Sequence, residues 1–386
     1  MKTDAGIDQG IRIIADENIP YVRELFSPIG EVSLVSGRQI QNVDVNDANI
    51  LLVRSVTNVN AALLSTSPVE FVGTCTIGVD HLDTQFLAER GVTYASAPGC
   101  NALAVVQYVV SVISKLGLLD SLDNLPKVAS KNVVIVGGGN VGGRVYDALT
   151  KIGFLCRIVD PFLNASCGRR LTDLSSITSA DIVCLHTPFT QGGAHPTHHL
   201  FGKNELNGLK KGAVFISAGR GGVVDNTALK RVLSERPDLR VVLDVWENEP
   251  GIDTELLDSV TIGTPHIAGY SFEGRLMGAL MIFDELTAYL NLDEEVVKHI
   301  RASVVNKALG KPVDCESSSF ERAILNAYDP SRDDAALRKV KNEIPSAFDQ
   351  LRKNYPQRRE FSHYRYCDVQ KEAQAYFSDL GFIVEN

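Results

Sequence analysis

Short apolar runs rich in β-branched residues alternate with amphipathic segments along the first hundred residues of the chain. Five of these runs predict buried strands, at residues 11–15, 31–35, 49–54, 70–74 and 92–95. The segments between them, such as residues 81–90, have the apolar and charged spacing of helices. Because strands that alternate with helices form parallel sheets, the pattern predicts an α/β layer.

A second series of apolar runs starts at residue 132 and again predicts strands separated by helices. After that first run, strands are expected at residues 156–160, 181–186, 213–217, 241–246 and 260–263. Long helices are predicted on either side of this series, over residues 101–119 and 273–290. We therefore interpret the series as a domain inserted into a discontinuous first domain. Two helices would cross between the domains and leave a cleft at the carboxyl ends of the strands.

The run at residue 132 leads into a glycine triplet and then into a helical segment. The spacing is Gly137-x-Gly139-x-x-Gly142, and Asp160 ends the next strand. In such a fingerprint the first glycine permits a tight turn, the second lets the backbone approach a pyrophosphate, and the third packs helix against strand. The helix N-terminus offers N–H groups to the phosphates. The pattern predicts a dinucleotide site. Asp160 favours NAD over NADP, because its negative charge would repel the 2′-phosphate of NADP.

Composition and charge narrow the class of protein. The 386-residue chain is 44% hydrophobic and 22% charged, which is typical of a globular protein. Its net charge of −9 argues against nucleic-acid or anionic-membrane binding, and no apolar stretch is long enough to span a membrane. The N-terminus lacks the apolar core of a signal peptide. Seven cysteines without a CxxC motif indicate reduced thiols and a cytoplasmic location.

Candidate catalytic side chains follow three successive predicted strands. Arg220 comes after the strand at residues 213–217, Glu249 lies just beyond the next strand, and His266 follows the last. An imidazole can exchange a proton with the oxygen of a 2-hydroxy acid, and a carboxylate on its other nitrogen would fix the tautomer. Arg220 could bind the carboxylate of that acid bidentately. A single residue of these types is usually an ordinary surface residue, but placement after three strands favours a shared site.

These motifs resemble the D-2-hydroxyacid dehydrogenase family over roughly residues 11–290. The resemblance rests on the glycine triplet, Asp160, His186-Thr187-Pro188, Arg220 in AGRGGVVD, Asp244 and Glu249 in LDVWENEP, and His266 in TPHIAG. It implies an NAD-dependent oxidoreductase in which Arg220, Glu249 and His266 are catalytic and His266 is the proton donor. The residues that it implies for NAD binding are Gly137, Gly139, Asn140, Val141, Gly142, Asp160, Thr187, Ala218, Gly219, Arg220, Asp244 and Gly269.

Further segments, including LLVRSVTNVN and HTPFTQGGAHPTHHL, resemble one subgroup of this family more closely. That resemblance implies a small phosphorylated 2-hydroxy acid as substrate, held by Ser55, Thr76 and Tyr270. It also implies a homodimer formed through a C-terminal domain. Two alternatives stay open: a dehydrogenase of the phosphoglycerate or glyoxylate type, and an NADH-sensing binding protein like the family's transcriptional corepressors.

The predicted fold class is therefore α/β, with three domains. A discontinuous flavodoxin-like substrate domain spans residues 1–118 and 268–296, and a doubly wound Rossmann-type NAD-binding domain spans residues 119–267. A small C-terminal α/β dimerisation domain spans residues 297–386, whose amphipathic helices need a surface to cover.

Two clusters of side chains have more than one interpretation. Basic residues concentrate near the C-terminus, at Arg352, Lys353, Arg358, Arg359 and Arg365. They form either a solvated basic face, which is the simpler interpretation, or a group that helps to bind the substrate phosphate. His195, His198 and His199 share a loop without a carboxylate or cysteine at ligand spacing, so we interpret them as solvated residues and predict no metal site.

Overall fold

The computed structural model describes residues 10–119, 130–316 and 319–385. Within these ranges the chain forms two compact units. The first contains the described residues up to 101 together with residues 271–312, and the second contains residues 102–270 together with the chain from residue 313. All paired strands in both units are parallel, which confirms the predicted α/β class.

The secondary-structure elements of the described residues have the following bounds. The strands are β1 Arg12–Asp16, β2 Glu31–Val35, β3 Ile50–Val53, β4 Phe71–Thr74, β5 Thr93–Ala95, β6 Asn132–Val136, β7 Leu155–Val159, β8 Ile182–Leu185, β9 Val214–Ser217, β10 Arg240–Leu243, β11 Ile262–Gly263, β12 Val313–Cys315, β13 Tyr364–Cys367 and β14 Ile383–Glu385. The helices are α1 Val22–Phe26, α2 Ala61–Leu64, α3 Thr84–Glu89, α4 Ala102–Lys115, α5 Asn140–Ile152, α6 Lys203–Asn207, α7 Asn226–Glu235, α8 Thr254–Ser259, α9 Phe272–Tyr289, α10 Glu294–Leu309, α11 Phe320–Ala327, α12 Pro330–Lys339, α13 Ser346–Lys353 and α14 Lys371–Leu380.

The first unit is built on a five-stranded sheet in the order β2-β1-β3-β4-β5. This is the flavodoxin-like order, as predicted. All residues of the central strands β3 and β4 are buried, which explains their continuous apolar sequence. Helix α9 packs closely on this sheet: a Cβ placed on Gly73 would lie 2.4 Å from a methyl carbon of Ile282.

The second unit contains a six-stranded sheet in the order β11-β10-β9-β8-β6-β7. Beyond β7, Ile158 forms an isolated parallel bridge with Leu171. Counted as a short strand, this bridge completes the dinucleotide-binding order, in which the first strand of the sheet lies at its centre. Leu171 is flanked by Arg170 and Thr172, so the segment lacks the apolar run that would have predicted a strand.

The predicted strands are all present, and most of their ends lie within two residues of the predicted ones. The exception is the run at residues 241–246, since β10 ends at Leu243 and Asp244 therefore lies just beyond the strand instead of within it. The apolar residues that extend this run, Val245 and Trp246, are buried outside the sheet. The Trp246 indole N–H donates a hydrogen bond to the Thr264 carbonyl at 3.0 Å.

The C-terminal segment, residues 313–385, is part of the second unit and packs on its nucleotide-binding portion. Phe320 and Ile324 of α11 and Phe377 of α14 are buried in one apolar core with Val109 of α4 and Leu149 of α5. The surface that these amphipathic helices cover thus belongs in large part to the chain's own nucleotide-binding unit. The boundaries of the three predicted domains and the role of the third in dimerisation stay predictions. A three-stranded sheet, β12-β13-β14, completes the segment.

Two further predictions concern membrane-spanning helices and the oxidation state of the cysteines. In the part of the chain that the structure describes, no helix has the length and apolar character needed to cross a membrane. All seven cysteines have free thiols.

Candidate active site

The glycine turn after β6 has the geometry that its sequence predicts. Gly137 has φ 93°, a conformation that favours glycine. A Cβ on Gly142 would lie 1.8 Å from the Gly137 carbonyl oxygen, so helix and turn can approach only without a side chain there. A Cβ on Gly139 would meet no atom within 4 Å, and Gly139 immediately precedes α5. The backbone at the start of α5 is therefore open to a ligand, next to the N–H groups of Asn140 and Val141.

Strand register brings Asp160 to this turn. Val136 pairs with Val159 in β7, so Gly137 and Asp160 leave neighbouring strands at the same level. The Asp160 carboxylate accepts hydrogen bonds from the backbone N–H of Gly138 at 2.8 Å and of Phe162 at 3.0 Å. These bonds hold a negative charge at the edge of the turn, where a bound dinucleotide would place its ribose.

The end of β8 carries buried polar atoms that lack protein partners. Val136 also pairs with Leu185, so His186 and Thr187 follow at the level of Gly137. The Thr187 hydroxyl and both ring nitrogens of His186 are buried, and none has a hydrogen-bond partner among the described residues. Burial lowers the pKa of His186 to about 4, so its ring is neutral. Because buried polar atoms usually have partners, this position fits a polar ligand such as a dinucleotide.

His266 and Glu249 form a hydrogen-bonded pair beyond β10 and β11. The Nδ1 atom of His266 lies 2.7 Å from the Oε2 atom of Glu249. The other oxygen of Glu249 accepts the Trp246 backbone N–H at 2.8 Å. Burial raises the pKa of Glu249, but the His266 charge, the His266 hydrogen bond and the Trp246 N–H outweigh it, so this pKa is lowered. The carboxylate is ionised and holds the His266 ring through its Nδ1 atom.

The turn that carries His266 is held by the buried side chain of Asp244, which is 2% exposed. One carboxylate oxygen accepts the Thr264 hydroxyl at 2.7 Å and the Ile267 N–H at 2.8 Å. The other accepts the Ala268 N–H at 3.0 Å. Burial raises the pKa of Asp244. The nearby His266 charge and these hydrogen bonds act in the opposite direction but are weaker, so the pKa is raised overall. Asp244 thus holds the turn that carries His266, which the sequence did not reveal, and its contact with NAD stays a prediction.

Arg220 lies at the same edge of the sheet. The strands before Arg220, Glu249 and His266 are β9, β10 and β11, which are direct neighbours. Arg220 is half-buried, and its Nη1 atom donates a hydrogen bond to the Gly219 carbonyl at 3.1 Å. The three predicted catalytic side chains therefore follow adjacent strand ends, as does Ala218. Gly269 and Tyr270 come soon after His266 and are half-buried.

The other two predicted substrate residues belong to the first unit. Ser55 and Thr76 follow β3 and β4, which are neighbours in that sheet. Ser55 is exposed, and the Thr76 hydroxyl lies 2.9 Å from that of Thr74. The turn with Ser55 is anchored by Arg54, whose guanidinium contacts the buried carboxylate of Asp16 at 2.9 Å. The two residues lie 38 positions apart, so no local sequence pattern predicts this ion pair.

The loop histidines have a neighbour that sequence spacing could not reveal. Glu247, from the segment after β10, lies with its carboxylate 2.7 Å from the His199 Nε2 atom. Donor atoms of His198, His199 and Glu247 all lie within 4.8 Å of one another. The second Glu247 oxygen already accepts the Asn226 backbone N–H at 2.8 Å. The absence of a metal site stays a prediction, and the carboxylate beside His199 comes from a distant segment and not from the loop itself.

Relatives are similar in sequence over nearly the whole chain. Residues 120–268 match the family described as D-isomer specific 2-hydroxyacid dehydrogenase, NAD binding domain, and residues 301–381 match a domain of unknown function. The erythronate-4-phosphate dehydrogenase of Saccharophagus degradans is 50% identical over 373 residues, which cover 96% of this chain and 99% of that protein. The enzyme of the same name from Teredinibacter turnerae is 45% identical, and the match covers 97% of this chain and 100% of that protein.

A solved structure supports the fold. The D-lactate dehydrogenase of Aquifex aeolicus, complexed with NAD and lactic acid, superimposes with a TM-score of 0.59 at 18% identity. The match covers 76% of this chain and 98% of that one. Together these similarities confirm the resemblance inferred from the motifs. The chain belongs to the erythronate-4-phosphate dehydrogenases, within the D-2-hydroxyacid dehydrogenase family, and is an NAD-dependent dehydrogenase.

Proposed function

We propose that this chain oxidises 4-phospho-D-erythronate to 2-oxo-3-hydroxy-4-phosphobutanoate with NAD, as a step in pyridoxal 5′-phosphate (vitamin B6) biosynthesis. The observation that carries the proposal is the His266–Glu249 pair, which lies two strands from Arg220 at one edge of the sheet. The 50% identity to an erythronate-4-phosphate dehydrogenase supports the choice of substrate.

In the proposed reaction each of the three side chains has a separate task. Arg220 binds the substrate carboxylate through paired N–H donors and orients the carbon that reacts. In this direction His266 accepts the proton of the 2-hydroxyl group on Nε2, while its Nδ1–H donates to Glu249. In the reverse reaction His266 is the proton donor. Bound NAD supplies the acceptor for the hydride that leaves the same carbon. Glu249, kept ionised by its lowered pKa, stabilises the positive charge that the ring acquires.

The proposed cofactor contacts follow from the strand ends. The N–H groups at the start of α5 bind the pyrophosphate, and Asp160 accepts hydrogen bonds from the adenosine ribose. Thr187 contributes its buried hydroxyl. Gly219 and Gly269 contribute backbone atoms beside the proposed catalytic residues.

The enzyme is also proposed to act as a cytoplasmic homodimer. Closed two-fold symmetry is the commonest oligomeric state, and seven free thiols suit a reducing compartment. Since the apolar faces of α11 and α14 are already buried within the chain, the interface would use other faces of the C-terminal segment. Light scattering of the full chain should then give roughly twice 42.0 kDa. A monomeric mass would refute the dimer.

A panel of acids tests the proposed substrate. NADH absorbance is followed with 4-phospho-D-erythronate, D-erythronate, 3-phosphoglycerate and glycolate. The highest kcat/KM is expected for 4-phospho-D-erythronate. A preference for 3-phosphoglycerate or glycolate would favour the other dehydrogenase types, and turnover of none of these acids would favour an NADH-sensing role.

Substitutions in the His266–Glu249 pair test proton transfer. His266→Ala should lower kcat by roughly 10²–10⁴ with NADH affinity nearly unchanged, because only the proton acceptor is lost. His299→Ala, at an exposed position in α10, is the matched control. Glu249→Gln should move the acidic limb of the pH–rate profile to lower pH, since the protonated ring loses its anionic partner. Near-normal turnover of His266→Ala would contradict the assignment.

Asp160 should determine the choice of cofactor. Asp160→Ala is expected to lower kcat/KM with NAD by about tenfold or more, because the ribose loses a charged acceptor. The ratio of kcat/KM with NAD to kcat/KM with NADP should therefore become smaller in this variant. It is measured by determining kcat/KM with each cofactor. Asp258→Ala removes an exposed carboxylate elsewhere in the unit and serves as the control. Equal use of both cofactors by the unaltered enzyme would argue against this role.

A further inference from the structure

Arg352 belongs to the C-terminal segment but lies against Tyr270, a predicted substrate residue. It occupies the last turn of α13, one helical turn after Phe348. Phe348 is completely buried in the core of the second unit, and residues four apart share a helix face. Arg352 is therefore directed inward, and only 19% of its side chain is exposed.

The guanidinium of Arg352 stacks against Tyr270, which follows His266 by four residues. Its central carbon lies 5.6 Å from the centre of the Tyr270 ring, within the range of a cation–π contact. Tyr355 contacts the same ring edge-on, with 5.8 Å between ring centres. These aromatic contacts fix a cation beside a residue for which substrate binding is proposed.

The charge of Arg352 is only partly compensated by the protein. The closest carboxylate, that of Asp349, is 3.8 Å from Nη1, which is too far for a hydrogen bond. The Nε atom is buried and has no hydrogen-bond partner among the residues that the structure describes. Burial lowers the pKa of Arg352, but Tyr270, Glu249 and Asp349 outweigh it and raise this pKa, so the group stays cationic.

Arg358 and Arg365 also have buried guanidinium nitrogens without a hydrogen-bond partner among the described residues, but their surroundings differ from those of Arg352. Arg358 is buried, donates to the backbone carbonyl of Ala268 and lies over the Tyr328 ring. Arg365 pairs with Glu385 at 3.2 Å. Lys353 is exposed. The cluster is therefore not a single solvated face.

We propose that Arg352 binds the phosphate group of the substrate. This inference rests on the proposed function, in which Arg220 holds the carboxylate and a second cation is needed at the other end of the acid. A guanidinium offers paired N–H donors that match phosphate geometry. The Nε atom without a protein partner is one such donor. The C-terminal segment would thus complete the substrate site of its own chain.

Arg352→Ala tests the assignment with two acids that differ only in the phosphate. The KM for 4-phospho-D-erythronate should rise on the order of 10- to 100-fold, because a charge-assisted contact is lost. The affinity for D-erythronate, measured as substrate and as competitive inhibitor, should not change. Arg352→Lys keeps the charge without the paired donors and should give an intermediate KM.

Matched controls separate this role from a loss of structure. Lys353→Ala removes the same charge from the next, exposed position and should leave both affinities unchanged. NADH fluorescence and thermal denaturation report whether each variant is folded. If Arg352→Ala does not fold, Arg352→Gln and Arg352→Lys provide the comparison.

Two results would overturn the inference. An unchanged KM for the phosphorylated acid would exclude the contact. Equal losses for both acids, with a shifted pH–rate profile, would show that Arg352 acts through Glu249 as a positioning residue. If the unaltered enzyme prefers another 2-hydroxy acid, the proposed function fails by itself. The inhibition constant of 4-phospho-D-erythronate against that acid, compared between the unaltered enzyme and Arg352→Ala, then still tests the contact.

Discussion

The proposed chemistry depends on one buried carboxylate, that of Asp244. It accepts hydrogen bonds from Thr264, Ile267 and Ala268 and so fixes the turn that contains His266. His266 itself has φ 55°, a backbone conformation that is uncommon outside glycine and needs support from its surroundings. Asp244 provides that support, so the geometry of the His266–Glu249 pair follows from it.

The C-terminal segment reinforces the same turn from the opposite side. The Arg358 guanidinium donates to the Ala268 carbonyl, while the Ala268 N–H donates to Asp244. Isolated buried charges are costly, but here opposite charges bind the N–H and the carbonyl of the same residue, Ala268. Tyr108 of α4 adds a hydrogen bond to the Thr264 hydroxyl at 2.8 Å. The C-terminal segment thus helps to position His266.

Local patterns in the sequence predicted most of the fold, because strand and glycine signals depend on neighbouring residues. The glycine turn, the strands and the adjacent placement of Arg220, Glu249 and His266 were accessible in this way. Long-range contacts were not: the Asp244 network joins atoms up to 24 residues apart, and Glu247 meets His199 across 48 residues. Helix α13 was also missed, because its eight residues contain only three apolar positions.

Long-range packing also explains why the sequence alone could not decide between the two interpretations of the basic cluster. Its residues lie close together in the chain, yet packing gives each a different environment. The buried face of α13 directs Arg352 toward Tyr270, whereas Lys353 on the next position faces solvent. Burying Phe348 in the nucleotide-binding unit therefore attaches the helix to the chain's own core and also places the Arg352 cation against the Tyr270 ring. With Arg352 in its proposed role as phosphate ligand, substrate selection and the packing of the C-terminal segment are linked through the same helix.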